Sequence, residues 1–361
     1  MNFKLWMPLL GLAFLAATAL FPHSTAQAGE VGSLSGYKVL EPIRHGNLTV
    51  FPVVAATSHD THEFLTLDEG VRSGEVVVTE YGDVQPLLRG PMVRRPHEGA
   101  EVNQLVLVNN SKRPLILLAG EIVTGGKQDR VIGQDRIVPA ESDPIDLRVF
   151  CVEPGRWTAT SAQFGSMGSA MAQPAIRAKA MGPKDQDQVW SEVRKQQAKI
   201  SANLASEEAI QVNGTTSYAR VMGDKAVEQQ VDSVAEPIER SYQSLIGQLR
   251  DRNAVGVVVA VNGQIVWADI FASANLLEKY WPKLVRSYAA EAIVTKTGGG
   301  EVGVKSAQEF LDSTEGRRET VENEPGLYRH TEIAGPGFTV FELTSLLPKT
   351  GFDLHVAKMA E

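Results

Sequence analysis

The sequence predicts an α+β fold, in which a strand-rich antiparallel N-terminal half, a sandwich or half-barrel, precedes helices and a β-hairpin plus helix unit. Three observations support this class. Short β-branched segments dominate residues 37–152, helical periodicity begins near residue 186, and an Asn-Gly turn joins two apolar runs near residue 262. Strands and helices are therefore segregated along the chain, as is typical of α+β proteins.

The N-terminal half is predicted to consist of short strands. Residues 47–54 and 75–80 are rich in valine and threonine, which favour a pleated backbone. Residues 104–108 and 115–119 are apolar and are separated by the polar segment 109–114, a pattern that predicts a hairpin. Consecutive strands this close in sequence pack most simply as an antiparallel sandwich or half-barrel.

The segment 158–174 is rich in glycine, serine and methionine, and it is predicted to be a flexible loop. Two interpretations of the loop are open, an unstructured connection and a mobile cover over a site. Apolar residues recur at helical spacing in 186–204 and 237–250. Pro237 suits the first turn of the second of these helices.

The hairpin plus helix unit begins with two apolar runs on either side of Asn262 and Gly263. Both residues tolerate the positive φ angles that a two-residue hairpin turn requires. Ser273 is positioned to cap the helix that follows, and Pro282 predicts a kink or a restart within that helix. Residues 344–361 are predicted to form a C-terminal tail.

The N-terminus has the features of a secretory signal. Lys4 precedes an apolar run over residues 5–21, and small residues at 26–28 form a cleavage site. Residues 1–28 are therefore predicted to be a cleavable signal peptide. The alternative is a membrane anchor, but Pro22 ends the apolar run short of the roughly 20 residues of a full span. We expect export of a soluble mature chain to the periplasm or the extracellular space, with no stable membrane insertion.

Composition restricts the range of partners. The formal net charge is −8, which disfavours binding to nucleic acid or to anionic membranes. Cys151 is the only cysteine, so no intrachain disulfide can form even though the predicted compartment would permit one. The sequence identifies no cofactor and leaves the oligomeric state open.

The first polar cluster follows the strand predicted at 115–119. Glu121 places a carboxylate at the end of an apolar run, where burial is costly unless the charge is paired or faces a cleft. Lys127, Gln128 and Arg130 follow through a glycine-rich turn, and they are predicted to bind an anion or a polar sugar. The alternative is a structural ion pair between Glu121 and Arg130 that closes the loop.

The second polar cluster has the same arrangement. Cys151 and Glu153 end an apolar strand, and Arg156 and Trp157 follow as predicted ligand-binding residues. Glu121 and Glu153 are predicted to face one cleft, where two carboxylates of different pKa can act as acid and base. Cys151 is a minor alternative as a nucleophile. No histidine partner is evident, and a small buried hydrophobic role is favoured for it.

Two other motifs are rejected. Gly125, Gly126 and Lys127 have the composition of a phosphate-binding loop, but Gln128 stands where a hydroxyl would bind magnesium, which excludes a nucleoside triphosphatase of this type. The histidines near residue 60 lack further ligands at suitable spacing, so no metal site is predicted.

These motifs together resemble the domain family named for its association with ADP-ribosylglycohydrolases and rhodanese-phosphatases. The resemblance is carried by residues 118–121, 126–130, 151–157, 188–190 and 257–271. It covers residues 46–343, divided into a strand-rich part 46–157, the loop 158–174 and a helical and hairpin part 186–343, after a lead segment 29–45. The resemblance implies a link to NAD or ADP-ribose metabolism.

The sequence therefore predicts an exported soluble protein with one polar cleft, a hydrolase acting on an anionic nucleotide or an ADP-ribose-like ligand. The alternative is a non-catalytic periplasmic or extracellular module that binds a small anionic molecule with the same donors. Replacing either glutamate by glutamine separates the two, because an enzyme would lose turnover but keep its ligand. Whether the protein is an enzyme stays open at this point.

Overall fold

The computed structural model describes residues 36–80, 102–249, 253–296 and 298–361. The predicted signal peptide 1–28 lies outside these residues. The described chain contains both antiparallel sheets and helices, which confirms the α+β class. Within it, no helix is both long and apolar enough to cross a bilayer.

Strands occur on both sides of a helical segment of the described chain. They are β1 (Tyr37–Val39), β2 (Ile43–His45), β3 (Leu48–Ala55), β4 (Leu65–Thr66), β5 (Val76–Glu80), β6 (Gln104–Asn109), β7 (Leu115–Leu117), β8 (Glu121–Gly125), β9 (Arg130–Ile132), β10 (Arg136–Val138), β11 (Ile145–Cys151), β12 (Phe164–Met171), β13 (Asn253–Val261), β14 (Gln264–Phe271), β15 (Arg317–Glu324), β16 (Tyr328–Gly335), β17 (Phe338–Ser345) and β18 (Asp353–Ala360).

Most helices lie between β12 and β13. The helices are α1 (Leu67–Ser73), α2 (Pro174–Met181), α3 (Gln186–Ala202), α4 (Ser206–Asn213), α5 (Tyr218–Met222), α6 (Lys225–Ile246), α7 (Ala274–Ile293) and α8 (Val304–Asp312).

A nine-stranded antiparallel sheet is the largest layer, in the order β1-β3-β13-β14-β18-β17-β16-β15, with β2 paired to β3. The chain leaves this sheet after β3 and returns to it at β13, where Ala55 and Asn253 are register partners. Between these points it forms a six-stranded sheet, β12-β8-β9-β11-β6-β5, and a three-stranded sheet, β10-β7-β4. These two sheets form the predicted half-barrel.

Alternation of side chains along the strands gives the nine-stranded sheet two apolar faces. One face, which includes Val257 and Val259, packs against α6 and α7, and its apolar cluster continues through α2 to α5 into the six-stranded sheet. The other face, which includes Val258, packs against α8. Trp281 and Tyr288 of α7 are buried in the main core.

Residues 158–174 do not form the predicted flexible loop. They contain β12, which pairs with β8 at the edge of the six-stranded sheet, and α2 begins at Pro174. An edge strand has one edge exposed to solvent and needs little alternation of apolar and polar residues. The small polar residues of β12 therefore resemble those of a loop. The predicted tail 344–361 is also wrong, because β18 lies inside the nine-stranded sheet between β14 and β17.

Pro237 is not in the first turn of a helix as predicted, because it lies inside α6. Pro282 lies within the predicted helix, α7, which continues through the proline rather than restarting there. The helix starts are set upstream by N-caps, since Asp224 accepts hydrogen bonds from the first turn of α6. Ser273 caps α7 by accepting a hydrogen bond from the Leu276 amide, as predicted.

Candidate functional site

The structure divides the predicted site residues between two locations. The turn after β8 and the segment after β11 come together around Arg156, whereas Glu121 lies at the other end of β8. The two ends of this strand are separated by roughly 13 Å. Beside Arg156 is an open pocket of about 380 Å³, which we call the Arg156 pocket. It is lined by Thr124, Gly125, Asp129, Arg156, Thr160, Met167, Ala219 and Arg220.

The turn between β8 and β9 forms one wall of the pocket. Gly125 and Gly126 have φ values of 124° and 48°, in the region that favours glycine. A Cβ atom on Gly126 would overlap the ring of Phe164. The paired glycines therefore let the chain reverse tightly and bring Lys127 and the residues after it toward the end of β11.

Asp129 links three segments of the chain at the pocket wall. Its Oδ1 atom accepts a hydrogen bond from the Gly125 amide at 3.0 Å, and its Oδ2 atom accepts one from the Ser217 hydroxyl at 2.6 Å. Its own amide donates to Glu153 Oε2 at 3.0 Å. Both carboxylate oxygens are therefore already engaged.

Arg156 and Glu153 form an ion pair of 2.5 Å. Arg156 also donates to the Gly126 carbonyl at 2.8 Å and lies 3.6 Å from Asp129 Oδ1. The Glu153 carboxylate holds the pKa of Arg156 above its usual value, so the guanidinium stays charged. Its Nε atom has no hydrogen-bond partner in the described part of the chain.

Gln128 and Arg130 lie behind the pocket rather than in it. Gln128 is buried and donates to the Glu153 carbonyl at 3.1 Å. Arg130 is fully buried opposite Cys151 on the paired strand β11, and two of its three guanidinium nitrogens have no described partner. The buried side chains of Gln128 and Arg130 therefore support the turn between β8 and β9 from the protein interior.

Lys127 and Trp157 lie at the surface beside Arg156. The Lys127 Nζ atom is 5.1 Å from the centre of the Trp157 ring, and Trp157 is 44% exposed. The Lys127 amide donates to Glu80 Oε1 at 2.6 Å. Glu80 was not predicted as part of the site, because it ends β5 far earlier in the chain and no local motif surrounds it.

Cys151 is fully buried beneath the pocket. Its Sγ atom accepts a hydrogen bond from the Glu153 amide at 3.3 Å, and its backbone is paired with the Gln186 side chain. Burial raises the pKa of the thiol above its usual value. This environment favours the structural interpretation of Cys151 over the nucleophilic one.

Glu121 forms a separate buried ion pair. Its carboxylate lies 2.5 Å from Lys283 Nζ and accepts a hydrogen bond from the Leu118 amide. Lys283 also pairs with Asp68 at 2.6 Å, so one ammonium serves two carboxylates. Burial raises the pKa of Glu121 despite Lys283, and the nearby Asp68 charge raises it further. The partner of Glu121 is thus Lys283, not Arg130, the alternative that the sequence offered.

A second set of charges, not predicted from the sequence, is enclosed in the core. Arg177 makes two hydrogen bonds of 2.8 and 2.9 Å to Asp269, which also accepts one from Tyr288. His355 bridges Asp269 at 3.1 Å and Asp135 at 2.5 Å. We call these five residues the buried charge network, since all five are fully buried.

The buried charge network balances its own charge. Burial would lower the pKa of His355, but Asp135 and Asp269 raise it to about 9, so the imidazole is protonated at neutral pH. Two cations then face two carboxylates. No motif marks these residues, because they are spread from position 135 to 355 and meet only through tertiary contacts.

The fold and the site define a class of α+β protein in which a half-barrel interrupts a large antiparallel sheet and carries an arginine-lined pocket. No group of three histidine, cysteine, aspartate or glutamate side chains in the described ranges is arranged to hold a metal ion.

The chain belongs to the ARG and Rhodanese-Phosphatase-superfamily-associated Protein domain family, whose model matches residues 36–357. This confirms the resemblance and extends it to β1 and β18. No curated protein and no solved structure matches the chain.

Proposed function

We propose that this protein binds a small anionic molecule in the Arg156 pocket, as a non-catalytic ligand-binding module. The observation that carries the proposal is the presence of two arginines from different segments, Arg156 and Arg220, in one open pocket. The volume of about 380 Å³ is within the range of small-molecule sites. The Thr124 and Thr160 residues line the same pocket and add two hydroxyl groups.

Arg156 and Arg220 differ in how far their side chains are already engaged. Arg156 is fixed by Glu153 and by backbone carbonyls, which orients its guanidinium group. Arg220 is exposed, and its guanidinium has no partner within the described ranges. Arg220 is therefore the guanidinium available for a bidentate contact with a phosphate or carboxylate group, and the fixed Arg156 adds positive charge beside it.

Binding is favoured over hydrolysis by the state of the carboxylates. A general base needs a free oxygen within hydrogen-bond reach of the attacking water. Both oxygens of Asp129 are engaged, Glu153 is held by Arg156 and by the Asp129 amide, and Glu121 is buried elsewhere with Lys283. Most oxygens of these three carboxylates are therefore engaged, which supports binding over hydrolysis.

ADP-ribose is the first ligand to test. It carries two phosphate groups, and the family is named for its association with ADP-ribosylglycohydrolases. Export to the periplasm or extracellular space also stays a prediction, motivated by residues 1–28. Intact mass spectrometry of the mature protein would test it, and a chain that still began at Met1 would contradict it.

The proposal is tested by isothermal titration calorimetry with ADP-ribose. Arg220→Gln should weaken binding on the order of tenfold or more, because a charge-assisted contact is worth about 1.5–3 kcal/mol. Arg240→Gln is the matched control, since Arg240 is exposed and its ion pair is with Glu236 on the same helix. Equal affinity of the Arg220→Gln variant and the wild type would overturn the proposed site. Release of product from ADP-ribose in the same mixture would restore the hydrolase prediction.

A further inference from the structure

A larger polar pocket, about 520 Å³ in volume, lies between the half-barrel and the β15–β16 hairpin. We call it the Arg148 groove. The polar residues that line it include Gln134, Arg136, Asp146, Arg148, Lys184 and Glu322, and none of them lines the Arg156 pocket. The groove is therefore a separate feature of the molecule.

Cations converge on the groove from three elements. Arg136 is on β10, Arg148 is on β11, and Lys184 is in the turn between α2 and α3. Lys184 has a φ of 55°, an uncommon value for a residue other than glycine, and its Nζ atom lies 2.9 Å from Glu332 on β16. The nine-stranded sheet thus fixes the position of this lysine.

Two of the guanidinium nitrogens of Arg136 have partners, and the third has none among the described residues. Its Nη1 atom donates to the Asp146 carbonyl at 2.7 Å, and its Nη2 atom lies 3.6 Å from Glu322. Gln134 also donates to the Glu322 carboxylate at 2.5 Å, so Oε2 of Glu322 already has a partner. The Arg136 Nε atom is buried without a hydrogen-bond partner in the described chain.

Arg148 is the second unused donor group. Its side chain is exposed, and its guanidinium has no hydrogen-bond or ion-pair partner among the residues of known placement. The apolar residues Leu147, Val149 and Phe150 from the same strand also line the groove. A free arginine above partly apolar walls is a common arrangement in small-molecule sites.

His330 on β16 adds a neutral group near this groove. It is almost completely buried, and neither ring nitrogen has a partner within the described ranges. Burial lowers the pKa of His330, with Lys184 also lowering it and Asp135, Glu322 and Glu332 opposing the change. The imidazole therefore adds no positive charge to the groove at neutral pH.

We propose that the Arg148 groove is a second binding site, for a small molecule that carries a phosphate or carboxylate group. Arg148 donates to the anionic oxygens, and Arg136 and Lys184 add positive charge beside it. This site is independent of the Arg156 pocket and does not depend on the proposal made for that pocket.

The test uses the full chain carrying Arg220→Gln, so that binding at the Arg156 pocket is weakened. Inorganic phosphate and citrate are titrated separately by calorimetry, which distinguishes a phosphate ligand from a carboxylate ligand. At least one probe should bind saturably. Adding Arg148→Gln should weaken that binding on the order of tenfold, and adding Lys184→Gln should weaken it further.

The controls separate loss of a ligand contact from loss of folding. Arg148 is exposed, so Arg148→Gln should leave the thermal unfolding midpoint unchanged. Arg240→Gln in the same background should bind both probes with unchanged affinity. The proposal is overturned if neither probe binds saturably to the Arg220→Gln chain, or if Arg148→Gln leaves the affinity for both probes unchanged.

Discussion

The buried charge network and the Arg156 pocket are both built around an arginine–carboxylate pair, but they differ in access to solvent. The Arg177 and Asp269 side chains are completely buried, whereas Arg156 retains 16% of its side-chain exposure beside an open pocket. Tyr288 and His355 complete the partners of Asp269 within the core. The enclosed pair is thus suited to maintaining the fold, and the open pair to receiving a ligand.

The largest expected effect is from Arg177→Met. This change leaves Asp269 buried without its guanidinium partner, and breaking a buried pair in this way typically costs about 3–5 kcal/mol. We expect a corresponding fall in the free energy of unfolding, measured by urea denaturation at neutral pH. Arg240→Met on the exposed face of α6 is the control and should change that energy by less than about 0.5 kcal/mol. If Arg177→Met lowered the free energy of unfolding by less than about 1 kcal/mol, burial of the ion pair would not distinguish the buried charge network from the Arg156 pocket.

The pH dependence of stability sharpens the comparison. The pKa of His355 is about 9 in the folded protein, above the unfolded value of roughly 6.5. Its contribution is therefore fully present below about pH 6.5 and is lost as the pH rises through about 9. From this shift we expect a loss on the order of 3 kcal/mol in the free energy of unfolding.

His355→Gln isolates this contribution. Burial lowers the pKa of Lys358 to about 8, so Lys358 makes folding more favourable as the pH rises over a similar range. The quantity to compare is the difference in unfolding free energy between wild type and His355→Gln at each pH, which cancels the Lys358 term. A difference that stayed constant from pH 6 to about pH 10 would contradict protonation of His355 in the folded state.

The smallest expected effect concerns Cys151, which lies below the pocket but is as enclosed as the network. Because the thiol is buried and its pKa is raised, the folded protein should react slowly with a thiol reagent at pH 7. Cys151→Ala should cost about 1 kcal/mol of stability and leave ligand affinity unchanged. Rapid labelling of the folded protein, together with loss of function in Cys151→Ala, would favour the nucleophile.

Sequence reasoning was most successful where local contacts determine structure. The Asn262–Gly263 turn has positive φ at both residues, and Ser273 caps α7, both as predicted. The two polar clusters meet only in part, because Arg156 donates to the Gly125 and Gly126 carbonyls whereas Glu121 pairs with Lys283 at the other end of β8. Each of these features depends on a short segment or on neighbouring strands.

Sequence reasoning failed where distant segments supply the partner. Lys283 is on α7, and nothing near Glu121 in the sequence identifies it. His355 belongs to β18, which lies inside the nine-stranded sheet. The polar residues of this strand do not indicate that it is buried, so the sequence predicts a tail there instead. Arg220 and Ser217 reach the pocket from the α5 region, after a helical segment in which no pattern indicates contact with the turn.

The register of Ala55 with Asn253 has a consequence for the time course of folding. Joining β3 to β13 closes a loop of about 200 residues, with an entropic cost on the order of 5 kcal/mol. The half-barrel strands β6 to β11 lie close in sequence and can pair at much lower cost. We therefore expect the half-barrel to gain protection from hydrogen exchange first during refolding, and the nine-stranded sheet to gain it later.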